Sequence, residues 1–130
     1  MIYLDSSALV TLVVQRPHVG DLERFLEKHE HERTCTSTLG FIETVRTCDR
    51  IGSFPHLMAT LLSYHEEIQL TGQIRDAAAV VTGSVRSLDA IHIASARMLG
   101  SDLIALVTYD RRMADAAHHA GLPVVMPGMT

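Results

Sequence analysis

The chain has 130 residues, of which 47% are hydrophobic and 20% are charged. This length is typical of one domain and the apolar fraction supplies a core, so a multidomain protein and a disordered chain are both excluded. The 11 basic and 15 acidic side chains leave a net charge of −4. Bulk positive charge therefore cannot hold a polyanion, and any nucleic acid must be bound by a local arginine cluster or by metal ions.

Neither membrane nor disulfide signals are found in the sequence. No apolar run approaches the roughly 20 residues that span a bilayer, and the N-terminus does not resemble a targeting segment, so we expect a cytoplasmic protein without membrane contact. Cys35 and Cys48 do not form a C-x-x-C pair and are too few for a disulfide framework. We expect both to be reduced core residues.

Strands and helices are predicted to alternate along the chain. The predicted strands are 2–4, 34–36, 68–70, 103–108 and 122–126. The predicted helices are 8–15, 19–30, 55–65, 74–81, 88–99 and 111–120, with Ser87 as the cap of 88–99. A further helix, the third in chain order, is predicted to be capped by Ser37 or Thr38 and closed by Gly52. Such alternation predicts an α/β fold of three layers, with a central parallel sheet flanked by helices. We interpret residues 1–130 as a single domain, with Thr130 in a short tail.

Two acidic residues follow predicted strands directly. Asp5 comes after residues 2–4, and Asp110 comes after the aliphatic strand and one tyrosine. Functional side chains of parallel sheets collect beyond the carboxyl ends of the strands. Either residue alone is also explained as a helix N-cap.

A third acid, Asp89, lies in the first turn of a helix that is apolar almost all round. A carboxylate beside a dry core needs a cation or several hydrogen-bond donors, although a part in the cap with Ser87 also explains it. His92, three residues further on, lies near the same face of the helix. We interpret it as a hydrogen-bonded histidine, either structural or supporting a metal ligand, rather than as a metal ligand itself, because carboxylates select oxygen-preferring ions.

The fourth acid, Glu43, is placed at the border of the apolar stripe of the third helix, on which Phe41, Ile42, Val45 and Cys48 are predicted to lie. Arg46 follows about one turn later, and an exposed ion pair between the two would be structurally minor. Taken together, however, four acids at strand ends and helix starts would raise one another's pKa values and oppose folding unless a cation lay between them. This set predicts a divalent ion, Mg²⁺ or Mn²⁺, which could activate water and neutralise charge on a phosphodiester.

The sequence resembles the PIN-domain ribonucleases of the VapC toxin family over nearly its whole length. The matching stretches are Ile2-Tyr3-Leu4-Asp5-Ser6-Ser7-Ala8-Leu9-Val10, Ser37-Thr38-Leu39 before Ile42-Glu43 and Arg46, Leu88-Asp89-Ala90-Ile91-His92-Ile93-Ala94, and Val107-Thr108-Tyr109-Asp110-Arg111. Each stretch is weak alone, but their order and separations are specific.

This resemblance implies a toxin of a toxin-antitoxin pair that hydrolyses RNA with metal-activated water. It implies a catalytic, metal-binding pocket of four acids, supported by two hydroxyl side chains and holding one or two Mg²⁺ or Mn²⁺ ions. The implied products carry a 5′-phosphate and a 3′-hydroxyl. It also implies a homodimer, and inhibition by a cognate VapB-like antitoxin that inserts a segment into the site. The acids are Asp5, Glu43, Asp89 and Asp110, and the supporting residues are Ser6 and Thr108.

One departure from the family concerns the residues after Asp110. Many relatives have a further aspartate two positions later, followed by a phenylalanine, where this chain has Arg112 and Met113. A second metal ion is correspondingly less well supported. Arg111 and Arg112, with Arg46, are candidate contacts for RNA phosphates, although ordinary solvated charge explains them equally well. Asp115, one turn later, is a weaker candidate for the pocket.

Two alternatives remain open from the sequence. A housekeeping RNA-processing nuclease would have the same fold and site, but the small size and lack of an added RNA-binding module favour the toxin. A receiver-like cation-binding domain would need a lysine after a late strand, and Lys28, the only lysine, lies in a predicted helix far from that place.

Overall fold

A computed structural model describes residues 1–129, and the predicted tail residue Thr130 lies outside that range. The described part has five strands and seven α-helices, with a 3₁₀ turn at Gly100–Asp102. The strands are β1 (Ile2–Leu4), β2 (Thr34–Ser37), β3 (Glu66–Ile68), β4 (Ala105–Val107) and β5 (Val124–Val125). The helices are α1 (Ser6–Val14), α2 (Val19–Lys28), α3 (Thr38–Ile51), α4 (Leu57–Tyr64), α5 (Gly72–Ala79), α6 (Ser87–Arg97) and α7 (Arg111–His119).

All five strands form one parallel sheet in the order β3-β2-β1-β4-β5. The first strand is central, and Tyr3 lies opposite Cys35 on one side and Leu106 on the other. Parallel neighbours need crossover connections, which the helices provide. The predicted α/β fold is confirmed. The strand order changes direction at β1, because β2 is its neighbour on one side of the sheet and β4 is its neighbour on the other.

The two faces of the sheet support separate apolar clusters. Ile2 and Leu4 point to the face covered by α1 and α2, whereas Tyr3 points to the face covered by α6 and α7. This alternation follows from the two-residue period of a strand. Burying a large apolar side chain stabilises a fold by about 1.5–3 kcal/mol, so both helical layers are held firmly against β1. The predicted three-layer arrangement is therefore confirmed.

Side-chain caps fix the start of the helices that matter most for the site. Asp5 caps α1 by accepting from the amide of Ala8, Ser37 caps α3 by accepting from Gly40, and Asp110 caps α7. Gly52 ends α3, as the sequence predicts. The caps place the first turns of α1 and α7 directly beyond the carboxyl ends of β1 and β4.

Three local predictions are wrong. The third strand is Glu66–Ile68 rather than 68–70, because an edge strand needs only partial cover and tolerates charged residues. Ser87 is the first residue of helix α6, and the N-cap position is occupied by Arg86, whose side chain makes no capping bond. Ser87 is therefore not the cap. Ile42 is 40% exposed. The buried stripe of α3 includes Thr44 instead, whose hydroxyl is satisfied by the carbonyl of Gly40.

Across residues 1–129, none of the helices is both long and apolar enough to cross a bilayer.

Candidate active site

Asp5 is a buried carboxylate held by three donors. It lies directly after β1 and accepts hydrogen bonds from the Ala8 amide at 3.0 Å, from Ser7 Oγ at 2.6 Å, and from Thr108 Oγ1. Burial raises the pKa of Asp5, while the charge of His92 and these donors act in the opposite direction. The α1 hydroxyl bonded to Asp5 is that of Ser7. The resemblance implied Ser6 as a supporting residue of the pocket, and within residues 1–129 its hydroxyl forms no hydrogen bond to Asp5.

Thr108, at the end of β4, links two of the acids. Its hydroxyl donates to Asp5 Oδ2 and accepts from the backbone amide of Asp110 at 3.0 Å. Ser7 Oγ in turn accepts from the amide of Tyr109 at 2.8 Å. These bonds join the loop after β1 to the loop after β4, so the backbones that carry Asp5 and Asp110 are fixed relative to each other.

Asp110 acts as the N-cap of α7. Its Oδ1 accepts from the amide of Arg112 at 2.9 Å and from that of Met113 at 3.4 Å, and the residue is otherwise exposed. The N-cap interpretation of the sequence is therefore correct for Asp110, as it is for Asp5. Capping uses one oxygen of Asp110, and no bond to Oδ2 is found in the described chain.

Asp89 lies on the third residue of α6, half-buried, in the field of the other three acids. Burial raises its pKa most, followed by the charge of Asp110, and Glu43 and Asp5 raise it further, whereas His92 lowers it. The ion pairs of residues 1–129 involve other acids and leave Asp89 without a lysine or arginine partner. Burial and the neighbouring acids therefore make ionisation of Asp89 unfavourable, and a nearby cation would offset this effect.

Glu43 is bound to the buried His92 instead of to Arg46. His92 Nε2 lies 2.8 Å from Glu43 Oε1, and His92 Nδ1 lies 2.6 Å from the hydroxyl of Tyr3. The expectation that His92 is hydrogen-bonded is confirmed. Arg46 is exposed on α3 and forms no ion pair with Glu43.

An open cleft of about 690 Å³ begins at Asp89. The cleft is lined by Arg112, Asp115 and His119 of α7 and by Arg86, which precedes α6. Neither arginine has an acidic partner within residues 1–129. Arg86 and His119 were not identified from the sequence. The approach of His119 to Asp89 depends on the packing of α7 against α6, whereas Arg86 lies three residues before Asp89 in the chain. Arg111 is exposed in the first turn of α7 and is not among the lining residues.

The donor set suits a hard divalent cation, although no closed ligand shell is present. Between residues 1 and 129, no three His, Cys, Asp or Glu side chains are close enough to hold one ion together. Mg²⁺ keeps several waters and takes only one or two carboxylates directly, with phosphates as further ligands. Asp89, which lacks a partner, and the uncapped oxygen of Asp110 are the carboxylate oxygens that fit this requirement.

Comparison with known proteins places the chain in a family. The PIN domain family matches residues 2–119. The chain is 38% identical to ribonuclease VapC46 of Mycobacterium tuberculosis over 128 residues, which is 97% of both chains. It is 34% identical to ribonuclease VapC47 of the same species over 133 residues, or 98% of both chains.

Solved structures agree with these relatives in fold. The crystal structure of Mycobacterium tuberculosis VapC20, described as a sarcin-ricin loop cleaving toxin, superposes with a TM-score of 0.73 at 18% identity, covering 98% of this chain and all of that one. With relatives above 30% identity along almost its full length, this chain belongs to the PIN domain family and, within it, to the VapC ribonucleases.

Proposed function

We propose that this protein is an endoribonuclease toxin whose acidic site of Asp5, Glu43, Asp89 and Asp110 binds Mg²⁺ or Mn²⁺, with Asp89 and Asp110 as the direct ligands and Asp5 and Glu43 adding negative charge. Its membership of the VapC family supports an RNA-hydrolysing enzyme of the toxin class. The observation that carries the metal proposal is the position of Asp89, a half-buried carboxylate without a lysine or arginine partner in the described chain, whose pKa is raised by burial and by the three other acids. When bound, a divalent ion activates water and neutralises charge on the phosphodiester.

The side chains of the protein contribute positioning. Thr108 and Ser7 hold Asp5 in one orientation, and the cap of α7 holds Asp110, so these carboxylates lose little freedom when a cation binds. Arg112 and Arg86 line the cleft that starts at Asp89, where their guanidinium groups suit RNA phosphates. We assign a weaker contribution to Arg46 and Arg111, which are exposed outside the cleft.

The metal proposal is tested by chelation and by Asp89→Asn. The purified protein is expected to cleave a structured RNA with Mg²⁺ or Mn²⁺, and EDTA or Asp89→Asn is expected to abolish cleavage. Asp49→Asn is the matched control, because it removes an exposed carboxylate of α3 that forms no ion pair in the described chain. Cleavage that persists in EDTA or in Asp89→Asn would remove the metal mechanism. A titration with Mn²⁺ gives the number of ions, one or two.

Partners are proposed on family membership. We propose a cognate VapB-like antitoxin that blocks the acidic site, and a homodimer as the state of the free toxin, both acting in the cytoplasm. Adding the antitoxin is expected to stop RNA cleavage, and light scattering is expected to give twice the 14.3 kDa of one chain. A small gene encoding a candidate antitoxin beside this one would favour the toxin over an RNA-processing nuclease.

A further inference from the structure

Tyr3 is the one residue of the fully buried strand β1 that carries a polar group, and that group points at a histidine. Its side chain is 0% exposed, and its ring meets the His92 ring edge to face with centroids 5.7 Å apart. The hydroxyl lies 2.6 Å from His92 Nδ1. A buried phenol needs a hydrogen-bond partner, but many atoms could have supplied one. The partner here is the ring that contacts Glu43.

Two hydrogen bonds join these three residues in series. His92 Nε2 lies 2.8 Å from Glu43 Oε1, and His92 Nδ1 lies 2.6 Å from the Tyr3 hydroxyl, so both ring nitrogens are engaged. A ring held at both nitrogens has a fixed orientation, and Tyr3 supplies one of the two contacts. Burial raises the pKa of the Tyr3 phenol, so its oxygen keeps its proton at neutral pH.

The bond leaves Glu43 partly fixed and partly available. Only Oε1 is engaged in the described chain, while the glutamate side chain is 26% exposed and retains Oε2 for another contact. Without the His92 bond, three side-chain torsions of Glu43 would be free to turn the carboxylate towards water. Tyr3 on β1, His92 on α6 and Glu43 on α3 therefore connect the central strand to two of the helices that carry the acids.

We propose that Tyr3 is a positioning residue of the nuclease site, which orients the carboxylate of Glu43 by fixing the position of the His92 ring. This inference rests on the proposed function, because it presumes that Glu43 takes part in the acidic site. Partners that orient metal-binding groups typically change metal affinity or activity by 10- to 100-fold. Since Tyr3 acts through one intermediate, removal of its hydroxyl is expected to weaken Mn²⁺ binding about 10-fold.

The simpler interpretation is a core tyrosine whose bond to His92 only stabilises the fold. Tyr3→Phe removes the donor and keeps the ring. Thr44→Val is the matched control, because it removes another buried hydroxyl bond, to the carbonyl of Gly40 on the same helix as Glu43, without touching His92. Equal losses of Mn²⁺ affinity in both variants would overturn the proposal in favour of the simpler interpretation.

Two measurements follow the effect without relying on RNA cleavage. Long-range ¹H–¹⁵N spectra of histidine-labelled protein are expected to show the Nδ1 resonance of His92 moving towards that of an unbonded nitrogen in Tyr3→Phe. Calorimetric titration gives the Mn²⁺ affinity. In a His92→Ala background, Tyr3→Phe should cause no further loss of affinity, because the two residues act in series.

Failure of this inference differs from failure of the proposed function. If wild-type protein cleaves RNA with Mg²⁺ while Tyr3→Phe binds Mn²⁺ and cleaves as the wild type does, the positioning role is overturned and the nuclease remains. An Nδ1 resonance of His92 that is the same in the wild type and in Tyr3→Phe would also overturn it. Loss of Mn²⁺ affinity in Tyr3→Phe but not in Thr44→Val, with no further loss from Tyr3→Phe in the His92→Ala background, would support it.

Discussion

Asp110 has two roles in this structure, and a pair of substitutions separates them. Its Oδ1 caps α7 by accepting from the amides of Arg112 and Met113. Its charge raises the pKa of Asp89 and, in the proposed function, helps to bind a cation. Asn can replace the capping oxygen but not the charge, whereas Ala replaces neither. Asp110→Asn therefore isolates the charge, and Asp110→Ala removes both contributions.

The expected magnitudes follow from these contacts. Asn and Asp are similar N-caps, so Asp110→Asn should leave the free energy of unfolding almost unchanged, while Ala costs about 1 kcal/mol. That loss lowers Tm by about 4 °C in a chain of this size. Both variants should lose RNA cleavage on the order of 100-fold or more, because removing a metal-binding carboxylate exceeds the effect of removing its hydrogen-bond partner.

Urea unfolding in EDTA and RNA cleavage in Mg²⁺ measure the two roles independently. Asp49→Asn, an exposed acid on α3, serves as the control for loss of one negative charge. If Asp110→Asn cleaves RNA at the wild-type rate, Asp110 is a helix cap and nothing more. If Asp110→Asn destabilises the protein as much as Asp110→Ala, the capping argument is wrong.

Three further predictions concern charge, RNA and packing. Folding raises the pKa of Asp89, so without metal the free energy of unfolding should fall as the pH rises from the unfolded carboxyl pKa of about 3.9 through the raised pKa of the folded state. Urea titrations at several pH values should show a shallower fall for Asp89→Asn. Arg112→Ala should weaken RNA binding by inactive protein and reduce its salt dependence by about one ion; an unchanged salt slope would remove the phosphate contact. Gly40→Ala should cost about 1–3 kcal/mol in thermal unfolding, because the added Cβ would meet Thr36 Oγ1; unchanged stability would refute this close approach.

Local sequence patterns predicted the features of the site that depend on local structure. Asp5 and Asp110 each follow a strand and start a helix, and N-cap chemistry involves only the next three residues. Their positions could therefore be predicted without the fold. The order of strands in the sheet, which brings those two loops together, depends on packing between segments about 100 residues apart and was inferred only from the general behaviour of α/β chains.

The remaining features of the site depend on contacts between residues that are distant in the sequence. Ser6 and Ser7 are equivalent as residue types, and only the position of β4, which brings the Tyr109 amide and Thr108 to Ser7, selects between them. His92 was expected to be hydrogen-bonded, but its partners Tyr3 and Glu43 lie 89 and 49 residues earlier in the chain. No periodicity within α6 could have identified Tyr3 or Glu43 as those partners.

Asp5 and Asp89 differ in how the fold satisfies their carboxylates, and this difference locates the proposed chemistry. Three donors offset the cost of burying Asp5, so its charge is largely satisfied within the fold. Asp89 receives no such donors, and three neighbouring carboxylates oppose its ionisation. A ligand that binds only the folded state stabilises it in proportion to the logarithm of its concentration. A divalent cation would therefore relieve a repulsion that is concentrated at Asp89, and Asp89 is where stability and the proposed activity should respond most strongly to metal.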